Sequence, residues 1–267
     1  MAEATHHEYK LEKPVEELVL YEDVAPHIVE VSLNRPEKHN ALYMPESFLE
    51  LARKLERAYD DDEVKVIILT GKGKSFCTGD DLRISPYESF GAAPGVKPPQ
   101  SKRIRGAQQN LGLAFKTIMD APKIIIAKVR GWAIGGGVEL TAFCDLTIAG
   151  ESAKFGQHEQ RIGFAGWEPY THMITMLEVG PKRYREWLLT GKTLTAQEAK
   201  EWGLVNAVVP DDKLDEETLR WAKAVALQSA DGLMIGKVVT RLCYDLLGCH
   251  TIYTATQLAH PLFTNLK

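Results

Sequence analysis

Three runs of β-branched and apolar residues, each followed by a helical pattern, constrain the fold more than any other feature of this chain. The runs read HIVEVSLNRP from His27 to Pro36, VKVIILTGKG from Val64 to Gly73, and KIIIAKVRGWAIGGG from Lys123 to Gly137. A shorter fourth run, LTIAG, follows the third. Strands that alternate with helices pair in parallel through right-handed crossovers, and both faces of such a sheet are covered. The pattern therefore predicts an α/β fold built on a parallel sheet.

The spacing of apolar residues elsewhere in the chain predicts helices, and an interruption of that spacing predicts a loop. Behind Pro45 the apolar residues recur at helical spacing: Phe48, Leu51, Leu55 and Tyr59. From Pro181 onward the chain turns helical, and we expect Gly191 and Gly203 to be helix C-caps. The stretch from Ser85 to Arg105 contains Gly, Pro and Ser without periodicity, which predicts a long loop of the lid or binding type.

Composition narrows the function classes. The chain has 267 residues, 45% hydrophobic and 25% charged, which suits one large α/β domain or a core with a small appendage. A net charge of -4 and a pI near 6.1 give no electrostatic footprint for nucleic acid. The four cysteines have no CxxC or Cys/His metal spacing, so we expect a reducing compartment and no metal site. Neither a secretory signal nor an apolar run of about 20 residues is visible, which favours a cytoplasmic location and no membrane partner.

Glycine turns follow two of the predicted strands. Gly135-Gly136-Gly137 ends the third run, and the segment SFCTGDDL from Ser75 to Leu82 follows the second. Glycine lets another chain approach the backbone closely, and a helix N-terminus favours negative charge. Because both turns lie beyond the carboxyl ends of parallel strands, they can aim two backbone donors at one oxygen, as an oxyanion hole requires. A tight turn that simply needs small residues is the alternative for either one alone.

Four blocks of the chain resemble the enoyl-CoA hydratase/isomerase (crotonase) superfamily. They are RGWAIGGGVELTAFCDLTIAGESAKFGQHEQRIG, SLNRPEKHNAL, VIILTGKGKSFCTGDDL and LLTGKTLTAQEAKEWGLVNAVVP. The blocks stand in the family's order and cover the chain from residue 17 to residue 215. The resemblance implies a crotonase-like spiral of ββα turns over residues 1–200 and a C-terminal helical region over residues 201–267 that supports trimerisation. It also implies an acyl-CoA substrate with no further cofactor, and a homotrimer or a homohexamer formed as a dimer of trimers.

Matching by position carries four site residues onto this chain. The resemblance assigns the oxyanion-hole N–H groups to Asp80 and Gly136, and the acid–base carboxylates to Glu139 and Glu159. Adding water to an α,β-unsaturated thioester needs a base for the water at Cβ and an acid for Cα, and the resemblance gives Glu159 the Cα proton. Without the resemblance, Glu139 reads as an ordinary first-turn glutamate and Glu159 as a solvated loop residue. We expect the unusual Asp80 to turn its carboxylate away from the thioester and to cap the next turn.

Basic residues near these blocks are candidates for coenzyme A. The resemblance points to Arg35 and Lys38 in LNRPEKHNAL and to Arg83 after the first glycine turn. A second basic group could also reach a phosphate: Lys102, Arg103 and Arg105. Each of these residues, taken without the resemblance, fits an ordinary solvated charge.

The chain departs from the family pattern around Glu159. A histidine, His158, stands where the pattern has a proline, and GFAGWEPYTH replaces a glycine-rich run. Bulky side chains in place of glycines would reshape the acyl pocket, so we expect a cyclic, aromatic or short acyl group. The residues predicted to line the pocket are Phe164, Trp167, Tyr170 and His172. Ordinary structural roles for these aromatic residues and histidines are the alternative.

The leading hypothesis from the sequence is an enoyl-CoA hydratase, a lyase that adds water to an enoyl-CoA or removes it. Retention of both glutamates favours hydration, because isomerases of the family often keep only the second. A hydrolase that opens a cyclic β-ketoacyl-CoA, an enoyl-CoA isomerase and a non-catalytic CoA-binding homologue stay open as alternatives.

Overall fold

A six-stranded sheet forms the centre of the protein. The computed structural model describes residue 11 and residues 13–83, 96–106, 112–162, 169–249, 251–252 and 254–255. The strands of the large sheet are β1 (Val19–Ala25), β2 (Ile28–Leu33), β3 (Val66–Gly71), β4 (Ile124–Val129), β6 (Leu146–Gly150) and β9 (Ala207–Val209), and they lie side by side in that order. Strand β1 pairs antiparallel with β2, and the other neighbours pair in parallel. The predicted parallel α/β sheet is confirmed, with an additional antiparallel edge strand.

A second, smaller sheet lies beside the large one. It contains β5 (Trp132–Ile134), β7 (Lys154–Gly156) and β8 (Thr193–Thr195), with β7 in the middle. The prediction of one continuous strand from Lys123 to Gly137 is therefore wrong, because the chain leaves the large sheet after Val129 and enters the small one at Trp132. Gly131, at the crossing, has a φ of 56°, and a side chain there would collide with the carbonyl oxygen of Lys74.

Nine α-helices have defined bounds among the described residues, and residues 249, 251–252 and 254–255 are also helical. The nine are α1 (Glu46–Tyr59), α2 (Gln100–Gly106), α3 (Gly112–Met119), α4 (Gly136–Phe143), α5 (Pro169–Val179), α6 (Pro181–Thr190), α7 (Ala196–Trp202), α8 (Leu214–Ala226) and α9 (Ala230–Leu246). Helix α2 falls within the stretch predicted to be a loop, so that prediction is wrong for residues 100–105; residues 85–95 lie outside the described ranges. Gly191 and Gly203 end α6 and α7 in left-handed conformations, as predicted.

Both faces of the large sheet are covered, as the apolar runs predicted. On β3, Ile67 and Leu69 pack into a core that includes Phe48 and Leu51 of α1. The alternate residues of the strands pack on the opposite face in a smaller core with α8: Ile28, Val66, Ile68, Ile126, Ile148, Leu214 and Ala222. None of the described helices combines the length and apolar composition needed to cross a bilayer.

An ionic cluster links the sheet to α8 on this face, with two of its three members largely buried. Lys128 on β4 contacts Glu30 on β2 at 2.7 Å and Asp215 at the start of α8 at 2.6 Å. Burial alone would raise the pKa of Glu30, but the hydrogen bonds from Lys128, Ser32 and Lys72 outweigh it and hold the pKa below its ordinary value. The cluster therefore fastens the first turn of α8 to the sheet through charge as well as apolar contact.

Candidate active site

The two glycine turns meet at the edge between the two sheets. The Cys77 backbone N–H donates to the Trp132 carbonyl at 3.0 Å, and the Ile134 N–H donates to the Cys77 carbonyl at 2.9 Å. A Cβ on Gly79 would lie 2.9 Å from the Ile134 carbonyl oxygen and 3.1 Å from the Gly136 nitrogen. No side chain fits between the turns at that distance, so glycine is required where they touch. The structure thus brings together the two predicted sources of an oxyanion hole.

Asp80 and Gly136 present their backbones at this junction. Gly136 is the first residue of α4, where N–H groups lack an acceptor within the helix. Both neighbours of Asp80 bind the backbone of Leu42: the Gly79 carbonyl accepts from Leu42 at 2.8 Å, and the Asp81 N–H donates to it at 3.0 Å. An Asp80 carboxylate oxygen lies 3.7 Å from the position of a Cβ on Gly136. The carboxylate therefore lies beside the second turn, and its orientation relative to a thioester stays a prediction.

Asp81 caps the turn after Gly79, and the cap expected of its neighbour Asp80 stays a prediction. Its Oδ1 accepts the Arg83 backbone N–H at 3.3 Å and the Arg83 Nε at 2.8 Å. Its Oδ2 accepts from Arg35 at 3.2 Å, and both of these side chains are almost fully buried. Burial by itself would raise the pKa of Asp81, but the bonds from Arg83 and Arg35 outweigh it and lower the pKa. This ion-paired group braces the turn that carries the Asp80 N–H.

The ion pairs of Asp81 involve two of the three residues predicted to bind coenzyme A, Arg35 and Arg83. Arg35 is buried and also donates to the Ala41 carbonyl at 2.6 Å, so its guanidinium is turned into the protein. Arg83 keeps 45% of its side chain exposed beside the turn, and Lys38 is half-buried at the end of the 3₁₀ helix Pro36–Lys38. This arrangement favours a structural role for Arg35, whereas Arg83 stands where it can meet a ligand. Contact of any of the three with coenzyme A stays a prediction.

Cys77 lies inside the first turn without features of a nucleophile. Its Sγ accepts the Gly79 N–H at 3.4 Å, and its side chain is fully buried. Burial raises the pKa of Cys77 to about 12. A thiolate is the reactive form of cysteine, so this residue is a packing element of the turn and carries no thiol chemistry near neutral pH.

Glu139 projects from the first turn of α4, next to the glycines. Its backbone N–H donates to the Gly135 carbonyl at 3.0 Å, which places it one helical turn beyond the predicted oxyanion donor. Only 2% of the residue is exposed, and its Oε1 accepts the Thr171 hydroxyl from α5 at 3.3 Å. The positive end of the helix dipole favours a carboxylate at this position.

Glu159 approaches the same glycine turn from the small sheet. It begins the 3₁₀ helix Glu159–Ile162 after β7, and its Oε1 lies 2.7 Å from where a Cβ on Gly135 would be. With its amide nitrogen assigned to the side that faces Glu159, Gln157 donates to both carboxylate oxygens, at 2.9 and 3.0 Å. Burial raises the pKa of Glu159 above its ordinary value and outweighs the backbone N–H groups of residues 159 and 158, which lower it. The Glu159 carboxylate and the backbone of Glu139 therefore both contact the turn that supplies Gly136.

Comparison with known proteins decides the family. The profile of the enoyl-CoA hydratase/isomerase family matches residues 24–241. The chain belongs to the enoyl-CoA hydratase/isomerase family. It is similar to the structure of a probable enoyl-CoA hydratase from Mycobacterium smegmatis, with 32% identity, a TM-score of 0.78, and coverage of 91% of this chain and 93% of that one. A probable enoyl-CoA hydratase from Mycobacterium thermoresistibile is also 32% identical, with a TM-score of 0.76 over 94% and 99% of the two chains.

A third structure extends the comparison to both reactions of the family. An enoyl-CoA hydratase/isomerase from Xanthobacter autotrophicus is 30% identical, with a TM-score of 0.76 over 92% of this chain and 86% of that one. The crotonase fold inferred from the sequence is confirmed. This hydratase/isomerase family member is thus an enzyme of the crotonase kind that acts on an acyl-CoA.

In this hydratase/isomerase homologue, the two histidines singled out from the sequence contact other parts of the fold. His158 Nε2 lies 3.1 Å from the Thr193 hydroxyl on β8, and burial, followed by the charge of Arg161, lowers the pKa of His158. His172 Nδ1 hydrogen-bonds to the buried Tyr184 hydroxyl, with the two rings edge to face. These contacts favour structural roles for both.

Part of the predicted site cannot be placed. Phe164 and Trp167 lie outside the described residues, as does the side chain of Tyr170, whose backbone is in α5. Of the second basic group on α2, Arg103 is buried, whereas Lys102 and Arg105 are more open to solvent.

Two side chains that contact the glutamates were not predicted from the sequence. Gln157 hydrogen-bonds to Glu159, and Thr171 hydrogen-bonds to Glu139. Gln157 could have been noticed as an amide two positions before a candidate catalytic carboxylate. Thr171 carried no comparable signal, because its contact with Glu139 depends on how α5 packs against α4.

Proposed function

We propose that this protein is a hydratase that adds water to an α,β-unsaturated acyl-CoA, or removes it, with Glu139 and Glu159 as the acid–base pair. Such a reaction makes the enzyme a lyase. The observation that carries the proposal is that both glutamates belong to the Gly135–Gly136 turn: the Glu139 backbone N–H bonds to the Gly135 carbonyl, and the Glu159 carboxylate lies against Gly135.

The oxyanion hole is proposed from the same junction. The backbone N–H groups of Asp80 and Gly136 would hold the thioester oxygen, which becomes an enolate oxygen when water attacks Cβ. Their support is the close approach of Gly79 to Gly136 and the pairing of Leu42 with the backbone on both sides of Asp80. Rigid donors of this kind need no rearrangement when the charge develops, so they stabilise the enolate more than the neutral thioester.

Two proton transfers complete the proposed cycle. In hydration, Glu139 accepts a proton from water while the water oxygen forms a bond to Cβ and the electron pair of the double bond moves to the thioester as an enolate. Glu159 then gives its proton to Cα, and the pair returns to its starting state by exchanging one proton. The raised pKa of Glu159 suits this step, because burial shifts the carboxyl towards the working pH, where a group can both give and take a proton.

The acyl group is proposed to be cyclic, aromatic or short. This part rests on the sequence, where Phe164, Trp167 and Tyr170 occupy a glycine-rich region of the family pattern. His172 is the described member of that set, and its ring packs against Tyr184.

An isomerase is the second candidate, and the burial of Glu139 favours it. Glu139 is almost inaccessible and its Oε1 is engaged by Thr171, whereas Glu159 is half-buried. An isomerase could move a proton between two carbons with Glu159 alone.

Substrate conversion followed by mass distinguishes these reactions. Crotonyl-CoA, a cyclic dienoyl-CoA and a cyclic β-ketoacyl-CoA would each be given to the wild type, to Glu139→Gln and to Glu159→Gln. We expect gain of water by an enoyl-CoA, and a loss of activity of about 10²-fold or more in each variant, as for removal of a general acid or base. Glu63→Gln, which changes an exposed glutamate, is the control.

Other outcomes would redirect the assignment. Ring opening of the β-ketoacyl-CoA without hydration would replace the hydratase by a hydrolase. Double-bond migration that survives Glu139→Gln but not Glu159→Gln would establish the isomerase. Failure of every acyl-CoA to react would contradict the proposed activity.

A further inference from the structure

A cleft of about 440 Å³ lies between α9 and the body of the protein. Its walls come from α9, from the C-terminal ends of α3, α4 and α5, and from the first residue of β4. Helix α4 has eight residues and is about 12 Å long, so Phe143 at its end stands one helix length from Gly136 at its start. The cleft is therefore separate from the candidate active site.

Glu178 is a carboxyl of this cleft that has no partner. It lies in the last turn of α5, and within the described parts of the chain no hydrogen bond or ion pair reaches its side chain. The walls around it raise the pKa of Glu178 to about 8, although the mouth of the cleft leaves the residue exposed. A carboxylate in these surroundings becomes the favoured form when a cation stands beside it.

The basic side chains of the cleft are already paired. Lys237 on α9 donates to the Asp145 carboxylate at 2.7 Å, and Arg241, one turn further on, donates to Asp120 at 2.8 Å. Each of these two cations therefore has its own carboxylate. The charge left over in the cleft is that of Glu178, and it is negative.

The helix ends and the aromatic rings around the cleft favour the same kind of ligand. Helices α4 and α5 both end at the cleft, and neither has a basic residue in its last turn. The C-terminal end of a helix is the negative end of its dipole and attracts cations. The rings of Phe143 and Tyr244 also line the cleft, and the face of an aromatic ring attracts a cation as well.

Glycine keeps one wall of the cleft low. Gly232 and Gly236 stand one turn apart on α9, and both line the cleft. Within the described structure, nothing lies within 4 Å of the position of a Cβ on Gly236. Glycine inside a helix is less favourable than alanine, and no neighbouring atom requires it here. The effect of this glycine is to leave room for another molecule.

We propose that this cleft binds a small organic cation, a primary amine on an apolar stem, whose ammonium group pairs with Glu178 and whose stem lies along the glycine side of α9. Such a ligand supplies the charge that the cleft lacks, and the volume lies in the range of small-molecule sites. The site is independent of the reaction proposed for Glu139 and Glu159.

The test uses 2-phenylethylamine as the probe and isothermal titration calorimetry as the measurement. Two compounds with the same ring, 2-phenylethanol and 3-phenylpropionate, replace the cation by a neutral group and by an anion. Glu178→Gln removes the charge of the site, and Gly236→Leu fills the space with a better helix former. Glu56→Gln is the matched control, because Glu56 lies in the last turn of α1 and is exposed.

A second measurement locates the bound amine. Met119 is the methionine of the cleft wall, so the methyl ¹³C signal of Met119 should shift when the amine is added. Met119→Leu identifies that signal. Circular dichroism checks that each variant is folded.

We expect the wild type and Glu56→Gln to bind the amine with a dissociation constant of about 1 mM or lower. The alcohol and the carboxylate should bind at least about tenfold more weakly. Glu178→Gln should lose about tenfold in affinity for the amine, the effect of one hydrogen bond to a charged group. Gly236→Leu should not bind it.

Three results would overturn the proposal: no binding of the amine to the wild type, equal binding of the amine and the alcohol, or an affinity that Glu178→Gln leaves unchanged. A second copy of the chain is the other occupant to consider. If it fills the cleft, the wild type binds no amine and Gly236→Leu lowers the solution mass.

Discussion

Gly135 meets two conformational demands at one residue. Its φ is 52°, a region that side chains disfavour, and the Glu159 carboxylate occupies the space where its Cβ would stand. A substitution would therefore act on the backbone and on the candidate catalytic group together. The two effects can be separated with another glycine, Gly180, which has a φ of 84° and nothing within 4 Å of its Cβ position.

We predict that Gly135→Ala and Gly180→Ala both lower the free energy of unfolding by about 1–3 kcal/mol, the cost of a disfavoured backbone conformation. Only Gly135→Ala should also lower kcat, by about 10²-fold, because a displacement of 1 Å at a reacting group has an effect of that size. Urea unfolding and steady-state kinetics measure the two effects. Equal kinetic losses in both variants would show that the contact with Glu159 does not matter.

At this scale the sequence predicted which residues meet, but not every orientation. Gly136, Glu139 and Glu159 do come together, because glycines at a strand end and a helix start leave few alternative paths. The contact of Asp81 with Arg35 could not be predicted, since adjacent aspartates are chemically equal until the backbone of the turn directs one of them towards Arg35.

Among the elements, the turn after β3 depends on a contact with the segment after β2. Arg35 follows β2 directly, and its guanidinium meets Asp81, 46 positions later in the chain. The pair is nearly inaccessible to water, so the loss of Asp81 would leave the Arg35 charge buried without this partner. The position of the Asp80 N–H thus depends on a charge that lies outside its own turn.

We predict that Asp81→Asn destabilises the protein by about 3 kcal/mol or more, as is usual when one partner of a buried pair is removed. It should also lower kcat/KM, because the turn that carries the Asp80 N–H loses its brace. Denaturant unfolding and kinetics would be compared with Asp62→Asn, which changes an exposed aspartate before β3. Equal stability of the two variants would contradict the prediction.

The same pair predicts how the stability of the protein changes with pH. The pKa of Asp81 is lowered in the folded state, so its contribution to stability is fully present above the ordinary value near pH 4 and is lost as the pH falls through the lowered pKa. The difference in stability between wild type and Asp81→Asn should therefore shrink in acid.

Helices and strands could be predicted from the sequence where the spacing of their apolar residues was regular. Helix α1 and strands β2 and β3 were predictable because their apolar spacing matches one period throughout. The break between β4 and β5 was not, because the apolar pattern continues across Arg130 and Gly131 and does not reveal a change of sheet. Lys128 was likewise hidden in an apolar run, since its partners Glu30 and Asp215 lie far away in sequence.

At the scale of the whole molecule, α9 carries an exposed apolar face. Large apolar side chains are exposed at helical spacing on this helix: Met234, Ile235, Val238, Val239, Leu242 and Leu246. Contiguous exposed apolar surface commonly marks a protein–protein contact. The trimer or hexamer expected from the sequence would place such a face between copies, and this assembly stays a prediction, as do the cytoplasmic location and the boundary after residue 200.

We predict that the wild type has the solution mass of a trimer or hexamer, and that the double variant Val238→Asp, Leu242→Asp has the mass of a monomer, because two buried charges would oppose association. Light scattering after size exclusion measures this. Leu189→Asp, at an exposed apolar residue of α6, should leave the mass unchanged. A monomeric wild type would contradict the prediction.

Residue 158 has its side chain and its main chain in different surroundings. The imidazole faces Thr193, while the N–H faces the Glu159 carboxylate. Every amino acid except proline keeps that N–H, so a substitution at this position can change the side chain and still retain the donor. Histidine and proline codons differ only in their middle base. One such nucleotide change in the gene would therefore remove a donor from the Glu159 carboxyl while leaving Glu139 and Glu159 themselves unchanged.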